Sequence, residues 1–172
     1  MLATPHMITG AAIGKVTRRL WIALPVAFVS HFALDFIPHL DSHGLFGIKG
    51  GGPTHAEAAM AILDTVVGIA LVLWAVGRQP GRRTMILAAL FAAVIDLADN
   101  VPPWGPYFQA WPGTAWLSAF HHGHSHGLAA DHWLVGLGTQ IVVTAVALWI
   151  VLAGKNTVAQ FRSFRKPGEN TG

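Results

Sequence analysis

The sequence has no cysteine, few charged residues and no basic N-terminal segment, and each absence excludes a class of protein. Without cysteine there can be neither a disulfide framework nor a zinc–thiolate site, so any metal has to be bound by nitrogen and oxygen atoms. Charged residues make up 11% of the chain, against about 25% in soluble domains. The first basic residue, Lys15, follows the first apolar stretch, which is not the order of a secretory signal peptide.

Apolar residues are abundant instead and make up 53% of the chain. The length of 172 residues suits one compact domain. The formal charge of +3 is modest, and the basic residues stand beside apolar runs. That pattern is typical of membrane-helix flanks rather than of a nucleic-acid-binding surface. We therefore expect membrane lipid, and no nucleic acid, as a partner.

The apolar runs predict an all-α fold, a multi-pass integral membrane bundle of about five helical segments, because a membrane-spanning helix needs about 20 mostly apolar residues. The first segment is short, with Thr4 as its expected N-cap, and the second contains Pro25, which can kink it. Thr54 is the expected cap of the third. The predicted helical segments are 5–16, 19–38, 55–77, 82–100 and 128–153.

Two further segments are predicted to lie between the last two helices. Segment 101–113, rich in proline and tryptophan, is predicted as an interfacial loop, and 115–125 as a short helix or re-entrant turn. Residues 1–155 are then one membrane-embedded helical domain, and 156–172 a basic cytoplasmic tail without fixed structure.

Lysine and arginine orient the predicted helices. If the helices alternate in direction, every basic residue except Lys49 falls at one membrane face, which the positive-inside rule makes cytoplasmic. All ten histidines, and every acidic residue except Glu169, then fall in the opposite half. Because the basic residues alone set the topology, this gathering independently indicates a metal site, which faces the outer, periplasmic or extracellular side of the membrane.

His31 and Asp35 stand four residues apart, which places both side chains on one helix face. An imidazole nitrogen and a carboxylate oxygen can then bind one divalent ion, and His39 adds a third group one turn on. The alternative is a His–Asp hydrogen bond that holds two helices together. Ionisable side chains within a bilayer are costly and usually functional, which favours the metal.

Asp96 and Asp99 form a second pair, three residues apart. Two carboxylates this close repel each other unless a cation or proton separates them, although Asp99 and Asn100 can also form a simple polar helix end. Asp64 lies roughly 13 Å into its helix at 1.5 Å per residue. It can pair with a histidine, bind metal or be a hydrogen-bonded core carboxyl group.

The segment from His121 to His126 contains four histidines around Gly123. Compositional bias or a flexible metal-scavenging loop would give the same string. We expect two of these histidines to be ligands, with His122 and His126 favoured by their four-residue spacing and His121 as the other candidate. We expect His43 and His124 to be bystanders. Asp131 and His132 could either bind the metal directly or support a metal ligand from behind.

His6 and His55 complete the predicted site, since each stands at the outer end of its helix. Taken alone, His6 would be an incidental histidine. The predicted metal ligands are therefore His6, His31, Asp35, His39, His55, Asp96, His121, His122 and His126, and the predicted catalytic carboxylates are Asp99 and Asp64.

Three motifs resemble those of the bacterial membrane-bound metal-dependent hydrolases. They are Ser30-His31-Phe-Ala-Leu-Asp35, Ile95-Asp96-Leu-Ala-Asp99, and His121-His122-Gly123-His124-Ser125-His126, with His122 in the place of an arginine. The resemblance implies an inner-membrane hydrolase in which His31, Asp35, Asp96, Asp99, His121 and His126 are functional. The His-x-x-x-Asp helix is also similar to the ligand helix of zinc-dependent phospholipase C and P1-type nucleases, which cleave phosphate esters with clustered zinc ions.

The leading hypothesis is thus a membrane-bound metal-dependent hydrolase that acts on a phosphoester of a lipid or lipid-like substrate. Zinc is the expected metal, with more than one ion allowed and Mn or Fe as alternatives. A spare carboxylate, Asp99 or Asp64, would act as general base. The alternatives are a metal-ion transporter, a metal-binding membrane protein without hydrolytic activity, and a structural polar cluster.

Overall fold

The computed structural model describes residues 1–40, 54–101, 104–124, 127–128 and 132–153, with the side chains of residues 124, 127 and 128 left aside. The predicted all-α class is confirmed, with one pair of two-residue strands as the exception. The elements are α1 (Ala3–Thr17), α2 (Leu20–Asp35), β1 (His39–Leu40), α3 (His55–Val76), α4 (Arg82–Ala92), α5 (Val94–Asn100), α6 (Gly105–Ala110), α7 (Ala115–His124), β2 (Gly127–Leu128) and α8 (Trp133–Leu152).

Helix α1 occupies the centre of the bundle and packs against α2, α3, α4 and α8. Two glycines allow its close approach to α4. A Cβ atom on Gly10 would lie 2.4 Å from the carbonyl oxygen of Ala88, and one on Gly14 would lie 2.7 Å from Cα of Met85. Since backbone is in the way at both positions, any larger residue would push α1 off α4. The glycines thereby fix the position of α1 along α4.

The start of α1 differs from the prediction that Thr4 is its N-cap. Leu2 occupies the cap position and makes no side-chain capping bond, and Thr4 lies inside the helix. Asp64 of α3 accepts instead: its carboxylate oxygen Oδ2 accepts from the backbone N–H of Thr4, and its backbone oxygen accepts from the Thr4 hydroxyl. The first N–H groups of a helix need acceptors from outside it, and here a neighbouring helix supplies one.

The prediction that Thr54 caps α3 is confirmed. Its hydroxyl accepts from the backbone N–H of Glu57, and the Glu57 carboxylate accepts from the backbone N–H of Thr54. This reciprocal capping box needs only two residues at the correct spacing, which is why the sequence alone predicts it.

The predicted helix over 82–100 is divided in two. Helix α4 ends at Ala92, and Ala93 (φ −105°, ψ 3°) separates it from α5. Neither proline nor glycine stands at the break. A tertiary contact does: the carbonyl oxygen of Ala92 lies 2.8 Å from Nδ1 of His31, and it therefore accepts a hydrogen bond from α2.

Two other predicted segments also differ. The predicted loop over 101–113 contains the short helix α6. The predicted helix over 128–153 begins only at Trp133, because Leu128 pairs with Leu40 in a short parallel β1–β2 ladder. A buried glutamine secures this ladder to α8, since the Gln140 side-chain amide donates to the carbonyl oxygen of Leu40.

Within the described ranges, α3 and α8 are long and apolar enough to cross a membrane by length and composition, at 22 and 20 residues. Helix α2 is apolar but has 16 residues. The outer surfaces of these helices carry exposed large apolar side chains, including Leu63, Val66, Trp74, Val142 and Trp149. The compact core lies inside, around Met7, Ile8, Val76, Met85 and Val151.

One end of the bundle is marked by Lys15, near the end of α1. Its ammonium group donates to the carbonyl oxygens of Val151 and Ala153, at the end of α8, and to Oε1 of Gln79, between α3 and α4. These ends therefore meet. His6 lies about 13 Å away along α1, at 1.5 Å per residue, and so belongs to the other end.

Candidate metal centre

Four side chains from three helices converge at that other end: His31 and Asp35 from α2, Asp96 from α5 and His121 from α7. Nε2 of His31 lies 3.2 Å from Nε2 of His121, 3.1 Å from Oδ2 of Asp35 and 3.7 Å from Oδ1 of Asp96. Nε2 of His121 lies 3.7 Å from Oδ2 of Asp35 and 3.4 Å from Oδ1 of Asp96. Ligand atoms about 2.0–2.2 Å from a tetrahedral zinc ion are about 3.3–3.6 Å apart, so the spacing suits one ion. We call these four residues the primary site.

Both histidine rings of the primary site are oriented by hydrogen bonds at Nδ1, the nitrogen that points away from the site. Nδ1 of His31 faces the carbonyl oxygen of Ala92 at 2.8 Å, and Nδ1 of His121 faces Oδ2 of Asp99 at 2.9 Å. A carbonyl and a carboxylate only accept, so both Nδ1 atoms carry the hydrogen. In the neutral rings both Nε2 atoms are then unprotonated, and their lone pairs face each other. Two lone pairs and two carboxylates in one place require a cation, which is either a proton or a metal ion.

Asp99 supports His121 and does not face the primary site. Its Oδ1 accepts from the Ser118 hydroxyl at 2.7 Å, and its Oδ2 also lies 3.1 Å from Nε2 of His122. The Asp99 side chain is fully buried. A carboxylate behind a metal-binding imidazole is a common arrangement, because it fixes the ring and raises its basicity.

The charge state of His121 follows from the same contacts. Burial lowers the pKa of its imidazole, but the hydrogen bonds that Asp96 and Asp99 accept from the ring outweigh burial, and the pKa is raised above its usual value.

His6 lies against the primary site from α1. Its ring stacks on that of His31, with centroids 4.1 Å apart, and its Nε2 lies 3.3 Å from Oδ1 of Asp35. Among the described residues, neither nitrogen of this fully buried ring has a hydrogen-bond partner, and neither has Oδ2 of Asp35. The amino nitrogen of Met1 also contacts Oδ1 of Asp35, at 2.5 Å.

The structure does not bring every predicted residue to this place. Asp64 binds the start of α1, as described above, and His55 is exposed at the start of α3. His39 is buried in β1, where its Nδ1 lies 2.8 Å from the carbonyl oxygen of Ile37. His122 reaches Asp99 but not the primary site, and His132 is exposed before α8. His43, His126, Asp131 and the side chain of His124 lie outside the described residues.

Two contributors were not predicted from the sequence. Ser118 stands three residues before His121 on α7, a spacing that could have suggested a shared face. The carbonyl oxygen of Ala92 leaves no signal in the sequence, because any residue supplies one.

No protein-family model, curated protein or solved structure matches this chain.

Proposed function

We propose that this protein is a membrane-bound metal-dependent hydrolase that cleaves a phosphoester of a lipid or lipid-like substrate. The observation that carries the proposal is the primary site. Its two imidazole nitrogens have fixed ring orientations, lie 3.2 Å from each other, and each lie 3.1–3.7 Å from an oxygen of Asp35 and an oxygen of Asp96. This spacing suits a divalent ion, and the groups of three in which these atoms fall could each hold one.

Zinc is the metal we propose, since a set of two imidazole nitrogens and two carboxylate oxygens suits it, with manganese and iron as alternatives favoured by the carboxylates. A divalent ion bound there would supply Lewis acidity, which lowers the pKa of water towards neutrality and stabilises charge on a phosphoryl oxygen.

The chain's own residues would orient the reaction. Asp96 is 26% exposed, whereas His31, Asp35 and His121 are buried, so a substrate reaches the primary site past Asp96. Asp99 is fully buried and already accepts hydrogen bonds from Ser118 and His121, which favours positioning of His121 over contact with substrate. His122 is 54% exposed and is held by Asp99, and it can exchange a proton with a substrate oxygen.

A groove beside the site favours a lipid substrate. It has a volume of about 460 Å³ and a wholly apolar lining between α2 and α7, which includes Phe28, Phe32, Trp116 and Phe120. The ring of Phe32 touches the site, with its centroid 5.4 Å from that of His31 and 6.2 Å from that of His121. A hydrocarbon chain in this groove would place an attached phosphoester beside His121.

The direct test is hydrolysis by the purified protein in mixed lipid micelles. We expect release of phosphate or a phosphorylated headgroup that stops when a chelator removes the metal and resumes when Zn²⁺ or Mn²⁺ is restored. Protein that binds metal but releases nothing from any phospholipid class would refute hydrolysis and leave metal binding intact.

That outcome would favour the second candidate, a metal-binding membrane protein without hydrolytic activity. Four protein ligands fill the coordination of a tetrahedral zinc ion, and such closed sites are usually structural. Transport of the ion is less well supported, because it would need polar groups along the cytoplasmic halves of the helices, which consist mainly of Val, Leu, Ile and Ala.

We further propose that the bundle crosses a bacterial inner membrane several times, with the site on the outer side. One support is the exposed apolar surface of α2, α3 and α8, which a soluble monomer would not present to water. The other is the contact of Lys15, near the end of α1, with the end of α8, which brings basic residues together at one end of the bundle.

Single cysteines test this orientation cleanly because the chain has none of its own. We expect a membrane-impermeant maleimide to label Ala56→Cys, at the exposed start of α3, in intact spheroplasts. Arg78→Cys, exposed after the end of α3, should be labelled only after lysis. Equal labelling of both positions in intact spheroplasts would contradict a membrane between them.

A further inference from the structure

We infer that the site binds a second divalent ion, between Nε2 of His6 and Oδ1 of Asp35, so that Asp35 bridges two ions. The inference rests on the primary site of the proposed function, and it adds a position that the four primary residues do not need. In two-metal sites the ions are about 3.5–4 Å apart, a distance that one carboxylate can span.

The two oxygens of Asp35 face different histidines. Oδ2 lies 3.1 Å from Nε2 of His31, in the primary site, while Oδ1 lies 3.3 Å from Nε2 of His6. The second distance again matches the separation of about 3.3–3.6 Å between two ligands of one tetrahedral ion. Asp96 is also within reach, since ligand atoms of His6, His31 and Asp96 all lie within 4.8 Å of one another.

The His6 ring has unsatisfied binding capacity. It is fully buried, and within the described part of the chain its Nδ1 has no hydrogen-bond partner, while its Nε2 lies 3.3 Å from Oδ1 of Asp35 without the geometry of a hydrogen bond. A buried polar nitrogen without a partner is costly, so such a group requires an explanation such as a bound ion. The stacking of His6 on His31 at 4.1 Å agrees with neutral rings, which is the form that binds metal.

The backbone holds His6 in this place. Gly10, one turn further along α1, lies so close to α4 that its position is fixed by the carbonyl of Ala88. Gly68 of α3 meets the side of α1 at Met7, next to His6. Ligands on rigid elements keep their geometry better than ligands on loops.

Charge makes the second ion the weaker one. Asp35 and Asp96 together neutralise one divalent ion, and the second adds two positive charges to a buried site. It also competes with the Met1 amino group for Oδ1 of Asp35. An anion would offset this charge, so inorganic phosphate should tighten the second ion, and by linkage the second ion should tighten phosphate equally.

The test is the number of ions bound per chain, measured by equilibrium dialysis and elemental mass spectrometry on metal-stripped protein in detergent. We expect the wild type to bind two Zn²⁺, with millimolar phosphate raising the affinity of the weaker ion by at least about fivefold. His6→Ala and the bulkier His6→Gln should each bind one ion, with affinity for that ion unchanged within a few-fold. His55→Ala, which removes an exposed histidine, is the matched control and should bind two.

Each outcome decides between the two proposals. A wild type that binds one ion, unchanged in His6→Ala, overturns the second ion and leaves the primary site standing. A wild type that binds none overturns both. If the His6 variants lose all metal or fold poorly, Mn²⁺-loaded wild type decides by electron paramagnetic resonance. A spin-coupled pair supports two adjacent ions, and an uncoupled Mn²⁺ spectrum overturns the inference.

Discussion

Replacing Asp35 with asparagine is expected to remove bound metal and, with it, any hydrolysis. The carboxylate is buried, and its Oδ2 lies 3.1 Å from Nε2 of His31 and 3.7 Å from Nε2 of His121. Asparagine keeps the size of the side chain but removes the charge. Loss of one partner from a buried charge pair costs about 3–5 kcal/mol, and about 1.4 kcal/mol corresponds to a factor of ten. We therefore expect the metal affinity to fall by about two to four orders of magnitude.

Asp64→Asn is the matched control, because it makes the same chemical change in the same bundle. Asp64 binds the start of α1 and, within the described ranges, makes no hydrogen bond or ion pair with the four primary residues, so this variant should lose some thermal stability and keep its metal. Competition with chelators of known affinity measures the metal affinity, and circular dichroism checks the helix content of both variants. If Asp64→Asn lost the metal while Asp35→Asn kept it, the primary site would be wrongly placed.

Replacing Asp99 with asparagine is expected to weaken metal binding without removing a ligand. Asp99 accepts from Nδ1 of His121 and thereby leaves Nε2 free to face the site. The asparagine amide can donate to Nδ1 instead, which would place the hydrogen on Nε2, where it blocks the metal. Loss of such supporting groups typically costs about 10- to 100-fold in metal affinity.

Ser118→Ala separates this effect from simple loss of a buried hydrogen bond. The serine donates to the other oxygen of Asp99, and its removal should leave the His121 ring correctly oriented. We expect a change in metal affinity of no more than about fivefold for this variant, in line with one hydrogen bond of about 1 kcal/mol. Equal losses in Asp99→Asn and Ser118→Ala, measured by the same chelator competition, would argue against a role of Asp99 in orienting the ring.

The His31–Asp35 pair could be predicted from sequence because both residues lie on one helix. Their spacing alone brings the side chains together, and the structure places Nε2 and Oδ2 3.1 Å apart. Local spacing could not separate Asp96 from Asp99. One faces Nε2 of His121 and the other Nδ1, and that difference depends on where α7 lies relative to α5. That placement is set by packing between segments far apart in the chain.

Asp64 shows what depth along a helix cannot reveal. The sequence gives its distance from the helix end but not which neighbouring element it meets. The start of α1, with N–H groups in need of acceptors, lies beside it in the fold. The approach of His6 to Asp35 is equally long-range, because the two residues lie on different helices and 29 residues separate them in the sequence. The resemblance to metal-dependent hydrolases still rests on the three motifs alone.

The distance between His31 and His121 along the chain has a mechanical consequence. Their Nε2 atoms are 3.2 Å apart in space, but 90 residues separate them in sequence. An ion shared by both would close a chain loop of that length, which restricts the unfolded chain much as a covalent cross-link does. In a protein without cysteine, metal coordination would then take over the role of a disulfide, and α2, α5 and α7 would separate only after the ion had left.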